Sequence, residues 1–245
     1  MPLRLEEIRA FDPLARPAWA RSLASRLAPG YEHPARAFFR LLARENREPM
    51  RWLDLGAGRN WLIGVFDEAH DEDLAVGADL ETPSDLQHRH RFVVADAYHL
   101  PFADGTFHLV TAYWVAEHIQ NPEAFLAEVA RVLRPGGALL LRTTNPRSPV
   151  TRLARLLPEG LKRRLLRRFL RPGQVLYPTY DRLNHPRVLR QIPPRFGLAP
   201  EAMVFSEALW LYHPTTALLS LAYWHLTRPW PGLRTDIVAL FRKVP

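Results

Sequence analysis

The sequence predicts an α/β fold built on a doubly wound, mostly parallel sheet with helices on both faces and helical insertions. Three observations predict it. Arg51-Trp52-Leu53-Asp54-Leu55 reads as a buried strand that runs straight into the glycine turn Gly56-Ala57-Gly58. Three successive strand ends carry an acid, at Asp54, Asp79 and Asp96. Short apolar runs alternate with segments of helical period, as in sheets whose parallel strands are joined by helices.

The elements follow in order. Before the sheet, Pro13–Leu27 and Pro34–Arg44 read as helices, with Trp19, Leu23 and Leu27 in one stripe and Phe38, Leu41 and Leu42 in another. The second is expected to pack on the sheet; the first is either a packing helix or a lid. In the turn after the first strand, glycines let backbone N–H groups approach a ligand closely. A carboxylate at the strand tip, Asp54, wants a cation or a donor. D-x-G-x-G therefore suits a ligand that lays a positively charged end across glycines, as the ammonium and sulfonium of S-adenosylmethionine would; an ordinary strand-to-helix turn is the other reading. A dinucleotide fingerprint needs a third glycine where Trp61 stands, and no phosphate-binding G-x-x-x-x-G-K-[ST] occurs. Leu74–Ala78 is a second strand. Asp79 at its end lies 21 positions after Gly58, where an acid can hold ribose hydroxyls. Phe92–Ala95, ending in Asp96, is the third strand and Phe107–Ala112 the fourth. A helix is expected over Pro122–Leu133, capped by Asn121, with Pro122 in its first turn and Phe125, Val129 and Val132 on one face. Arg134-Pro135-Gly136-Gly137 should stop it, and Ala138–Leu141 is the fifth strand. Pro186–Gln191 reads as a short helix, and Ala202–Phe205 and Ile237–Lys243 as two final strands.

The run from Asp54 to about Asn145 resembles the core of class I S-adenosylmethionine (SAM)-dependent methyltransferases, in the type 11 group. The matching pieces are LDLGAG, VGADL, VADAYHLPFADGTF, AEHIQNP and FLAEVARVLRPGGALLL. They are specific together and weak singly. The resemblance implies SAM as cofactor and a seven-stranded sheet of order 3-2-1-4-5-7-6, its last two strands an antiparallel pair. It implies that Asp54, Gly56, Ala57 and Gly58 line the methionine part, that Asp79 holds the ribose, that Leu80 packs on the adenine, and that Asp96 and the Ala97 amide meet the adenine edge. Ala112 would offer backbone to the methionine end. Two positions depart from the pattern: His108 stands where an Asp is usual, and Asn60 where many members have a third glycine.

A chain of 245 residues with 47% apolar residues fits one such domain, 1–245. It divides into N-terminal helices (1–48), the SAM-binding core (49–145), a basic helical insertion (146–185) and a Trp/Tyr-rich insertion (206–232). The absence of cysteine excludes disulfides, thiolate zinc sites and cysteine nucleophiles; no metal site is expected. Met1–Ala10 has no apolar signal core, which argues against export and for a cytoplasmic protein; the option of peripheral attachment to a membrane rests on the two insertions.

The charge is local. Residues 146–195 hold thirteen Arg or Lys against Glu159 and Asp181, a surplus of eleven, whereas the whole chain is +8; everything else sums to −3. Pro158–Arg171 is expected to form a helix with Leu161, Leu165, Leu166, Phe169 and Leu170 on one side and five arginines on the other. Such a helix suits an anionic membrane surface, or is a solvated face on its own domain. Nucleic acid is disfavoured, because no aromatic side chains interleave for base stacking. Ala208–Leu226, ALWLYHPTTALLSLAYWHL, is uncharged but interrupted by His213, Pro214 and Thr215, so it is not read as spanning. Its Trp210, Tyr212, Tyr223 and Trp224 suit an apolar pocket, a core or a membrane interface.

Methyl transfer from a sulfonium needs position and a dry site; a base is needed only where the attacking atom carries a proton. Candidates on the acceptor side are Tyr113, Trp114, Glu117 and His118 after the fourth strand, Thr144 and Asn145 after the fifth, and Tyr177, Tyr180 and Asn184 in the insertion. His118 is chemically the most suitable base, yet no single residue is marked as essential. The expected activity is methyl transfer to a small-molecule or lipid-linked acceptor. The alternatives are an RNA methyltransferase and a SAM-binding partner protein without catalysis.

Overall fold

The computed structural model describes residues 18–45, 50–59, 61–64, 74–83, 86, 89–158, 160, 177–209 and 213–245. Seven strands form one sheet: β1 (Arg51–Leu55), β2 (Leu74–Asp79), β3 (Phe92–Val94), β4 (Phe107–Tyr113), β5 (Leu133–Thr144), β6 (Leu198–Ser206) and β7 (Asp236–Lys243). Their order is β3-β2-β1-β4-β5-β7-β6. Pairing is parallel from β3 through β5 and antiparallel for β5–β7 and β7–β6. Among the described residues, the helices of at least six residues are α1 (Ala18–Leu27), α2 (Pro34–Glu45), α4 (Pro122–Val132), α5 (Pro149–Leu156), α6 (Pro186–Gln191) and α7 (Pro214–Leu226); the single turn α3 (Trp61–Gly64) follows β1.

The strands read as continuous apolar runs because both faces are covered. Alternate residues go to opposite sides. Leu53, Leu55, Val110, Ala112, Leu139, Leu141, Ile237 and Ala239 meet Phe125, Leu126 and Val129 of α4. Trp52, Leu109, Ala138, Leu140, Val238 and Leu240 meet Phe38, Phe39, Leu41 and Leu42 of α2. Phe38 is fully buried and sets its ring edge-on to Tyr113, with centroids 4.9 Å apart. Phe38→Ala should therefore cost about 3–5 kcal/mol, read as a lower midpoint in urea with an unchanged slope.

Several boundaries move. The RPGG run is not a loop: the strand starts at Leu133 directly after α4, and the pairing register shifts between Phe107 and Leu109. Gly136 has φ +75°, and a Cβ on Gly137 would sit 2.9 Å from the Arg134 carbonyl and 3.1 Å from that of His108. A bulge absorbs the glycines within the strand. Asn121 caps α4, accepting from the Ala124 amide at 3.2 Å. β3 stops at Val94, so Ala95 and Asp96 lie just past its end. Trp19 and Leu27 of α1 are exposed; of the expected stripe Leu23 packs toward α7, together with Ala24 and, just past the helix, Ala28. α5 has no counterpart in the sequence reading, while most of the helix expected over 158–171 lies outside the described residues, as do Pro13–Pro17, Asn60, Trp210 and Tyr212.

Candidate active site

Asp54, Asp79 and Asp96 sit at or just past the carboxyl ends of β1, β2 and β3, along the edge where doubly wound sheets bind ligands. At β1, the Gly56 and Ala57 amides both donate to the Ala78 carbonyl, at 2.8 and 3.1 Å, which folds the glycine turn back over β2. Gly56 has φ +65°, and a Cβ there would lie 2.3 Å from Cγ2 of Val115. Gly58 has φ +52° and open space where its Cβ would be. The turn thus closes against Val115 on one side and is open at Gly58 on the other. Asp79 organises it: one carboxylate oxygen accepts the Gly58 amide at 2.8 Å, the other the Leu80 amide at 2.7 Å. Leu80 lies beside that carboxylate, 59% exposed, as an apolar platform. Asp96 is exposed and accepts from the Tyr98 amide at 2.9 Å, with Ala97 half-buried between them.

Asp54 is buried. Its Oδ1 accepts from the Thr111 hydroxyl at 2.6 Å, and that hydroxyl accepts from the Trp52 indole N–H at 2.8 Å. Burial pushes its carboxyl up to about 7; the Thr111 hydrogen bond opposes this and the Asp79 charge adds to it. Ala112 pairs with Leu55 across β1 and β4, so its backbone lies next to the turn.

The neighbouring half of the edge is aromatic. Trp114 has φ +63°, rare for a bulky residue and a store of roughly 1–3 kcal/mol. Its amide donates to the Arg142 carbonyl at 2.8 Å, and its ring lies 4.7 Å from the Arg142 guanidinium, itself buried and bound to Asp236 at 2.8 Å. Arg142 also donates to the Tyr113 hydroxyl, which occupies that phenol. Burial pushes the Tyr113 phenol up. The strained indole is thus held by a fixed cation and remains 39% exposed.

The turn after β4 carries His118, whose Nδ1 lies 2.8 Å from the Pro178 carbonyl. That carbonyl can only accept, so Nδ1 carries the proton and Nε2 is the basic nitrogen. The Tyr177 ring stands edge-on to His118 at 6.0 Å. Burial, and then the charges of Asp79 and Glu81, raises the Tyr177 phenol. The Tyr180 amide donates to the Glu117 carbonyl at 2.8 Å, docking 177–181 on the turn. Glu117 is buried and accepts from the Thr143 hydroxyl at 2.6 Å; burial raises its carboxyl. Asn184 donates to both oxygens of Thr144.

Asn145 stands apart. It is fully buried, and its amide donates to the carbonyls of Gly232 and Arg234 at 2.9 and 2.7 Å, clasping the end of β5 to the turn before β7. His108 accepts the Arg51 amide at 3.1 Å, so the imidazole supplies an acceptor at that departing position. Sequence reasoning missed the Arg142–Asp236 pair and the neighbouring Glu207, pushed up to about 7 by burial next to Asp236. A lone arginine at the end of the apolar run LLLR was the available signal. Its partner is 94 positions away.

The comparisons agree with this geometry. Residues 53–141 match the family model for the methyltransferase domain Methyltransf_11. The ubiquinone/menaquinone biosynthesis C-methyltransferase UbiE of Desulfotalea psychrophila is 32% identical over 38% of this chain and 41% of its own. A demethylmenaquinone methyltransferase of Beutenbergia cavernae is 37% identical over 40% and 43%. The chain thus spans about two-fifths of the length of these relatives. Among solved structures, geranyl diphosphate C-methyltransferase of Streptomyces coelicolor, in complex with Mg2+, geranyl diphosphate and S-adenosylhomocysteine, superposes with a TM-score of 0.51 at 16% identity, covering 93% of this chain and 77% of that one; at this identity the likeness concerns the fold. The sheet order, the glycine turn and the family match define a class I methyltransferase fold with SAM as its cofactor. Residues 53–141, a little over a third of the chain, thus carry the type 11 methyltransferase match within that fold.

The residues present fit that cofactor. The open side of the turn at Gly58 admits a ligand against the backbone, the Asp79 carboxylate retains lone pairs for a diol, and the buried Asp54 carboxyl has the Thr111 hydroxyl and no cation beside it among the described residues.

Proposed function

We propose that the chain transfers a methyl group from SAM to a small, ring-bearing acceptor, with a lipid-linked acceptor favoured. The observation that carries this reading is the junction of two unlike half-sites on one sheet edge: a glycine and carboxylate cradle beside a strained, exposed indole. In this reading Asp54, Gly56, Ala57, Gly58 and Ala112 hold the methionine end, Asp79 the ribose, and Leu80, Asp96 and Ala97 the adenine. When bound, the cofactor supplies a methyl group already activated on a positively charged sulfur. The chain's own task is then to place the acceptor in line and exclude water. Trp114 provides a flat wall for a ring, fixed by Arg142. Tyr177 and Tyr180 cover the site from the 177–181 segment. His118, through Nε2, is the group best suited to take a proton from an acceptor that carries one on the attacking atom. Asn145 serves to hold the end of β5 in place. The names of the quinone-methylating relatives support an acceptor with an apolar tail.

Incubation with SAM and a panel of hydroquinones with and without prenyl tails tests this directly. Mass spectrometry should show the gain of one methylene unit in an acceptor; no gain across the panel, from protein that binds SAM, would count against the acceptor class. Trp114→Gly relaxes the backbone and removes the wall. It should lower kcat/KM for the acceptor about tenfold, from roughly 1–2 kcal/mol of ring contact, with SAM affinity unchanged.

A further inference from the structure

We propose that α5 and the outward face of α7 form a docking surface for an anionic lipid bilayer. No residue of α5 is buried. At 100° per residue, Val150, Leu153 and Leu157 share one side with Leu156 at its flank, and Arg152 and Arg155 lie opposite. Leu156 is 80% exposed. α7 buries Ala217, Leu221 and Trp224 against α1, yet its other side is also apolar: Leu218, Leu219 and Leu226 point outward, with Leu219 71% exposed. A helix that is apolar all round belongs in an interior or against another apolar phase.

The two helices adjoin. The Ser148 hydroxyl, at the start of α5, lies 3.1 Å from the Tyr223 hydroxyl of α7. Arg147, also before α5, lines an open groove of about 700 Å³ with Pro229, Trp230 and Leu233, which follow α7. Trp230 is 60% exposed.

Charge decides the occupant. Stretches 146–158 and 213–235 hold five arginines and no Asp or Glu. Arg147, Arg152 and Arg228 are exposed, whereas Arg155 pairs with Asp181 at 2.5 Å. A second copy of this chain would set arginine against arginine across a two-fold axis. A lipid surface satisfies both parts at once: leucines sink beneath the headgroups, arginines meet their phosphates, and a tryptophan lies at the boundary. α5 leaves from the carboxyl end of β5 and α7 leads into β7, so the surface borders the acceptor half of the site. Resting on the function proposed above, this surface places that half where a lipid-linked acceptor is dissolved.

The test is co-sedimentation of the full chain with phosphatidylcholine vesicles, with and without phosphatidylglycerol. Binding should be roughly a hundredfold tighter with the charged lipid, from three exposed arginines. Leu153→Glu with Leu156→Glu, and separately Leu218→Glu with Leu219→Glu, should abolish it while leaving the circular dichroism melt and SAM binding intact. These are exposed positions, so the fold tolerates the change. No binding by the parent, binding indifferent to both pairs, or light scattering that shows a dimer broken by the same substitutions would overturn the proposal. Failure to bind SAM in the parent would sink the function proposed above and leave the docking result standing.

Discussion

Asp79→Ala should weaken binding of SAM and of its demethylated product by two to four decades in calorimetric titration. The carboxylate does two jobs in the proposed site. It holds the Gly58 and Leu80 amides at 2.8 and 2.7 Å, which sets the shape of the cradle before any ligand arrives. It then offers its remaining lone pairs to the ribose hydroxyls. Hydrogen bonds to a charged group are worth about 1.5–3 kcal/mol each, and 1.4 kcal/mol is tenfold. Losing two therefore gives the range stated. Both amides stay near the surface, where water can replace the carboxylate, so the fold should survive; a large fall in melting temperature would show that Asp79 is mainly structural. Asp79→Asn should recover only part of the affinity, because its nitrogen cannot accept either amide.

SAM affinity should rise with pH, by close to tenfold per unit below about pH 7, and level off above it. The cause is Asp54, whose carboxyl is raised to about 7, first by burial. Below that pH the folded protein holds the proton, and a cationic methionine end must displace it. Above, the carboxylate is ready. One proton released on binding gives a slope of one decade per unit. Asp54→Asn should flatten the profile and hold affinity at or below the low-pH value. The sign for folding runs the other way. A carboxyl with a raised folded pKa binds its proton more tightly in the native state. Its contribution to stability is therefore full below the unfolded pKa and is lost as pH climbs toward 7. Glu207, also raised to about 7 by burial, acts in the same direction. Melting temperature alone would mix these groups with the buried Glu117, also raised by burial, whereas the comparison with Asp54→Asn assigns the affinity profile to Asp54.

What was legible in the chain follows from the range of the interactions. The turn at Gly56 and Gly58 is local: a strand, two glycines and an acid lie within one short stretch, and only glycine takes φ of +65° and +52° there without strain. The spacing to Asp79 and Asp96 is legible because each acid ends its own apolar run. The antiparallel pair β7–β6 was marked by its apolar strands, but not how far β6 reaches, since Pro200 and Glu201 sit in a bulge that propensity reads as loop. Contacts between distant segments left no trace. Nothing near Asn145 says that its amide is taken up by carbonyls 87 and 89 positions on. Nothing near Val115 says that it closes the space over Gly56. Trp114 reads as one more aromatic after a strand, and its backbone strain exists only in three dimensions. The stripe Trp19, Leu23, Leu27 has the right period, yet of the three only Leu23 packs toward α7, beside Ala24 and, just past the end of α1, Ala28.

The central claim is that one cleft at the carboxyl edge grips the adenosyl and methionine ends of SAM through Asp54, Asp79 and the glycine turn. Calorimetric titration of the full chain with S-adenosylhomocysteine and SAM, at a pH above 7 and side by side with Asp79→Ala, measures it most directly. Saturable one-to-one binding to the parent, lost in the variant at unchanged melting temperature, is the expected result. Absence of heat with either ligand, or equal affinity in parent and variant, would contradict it.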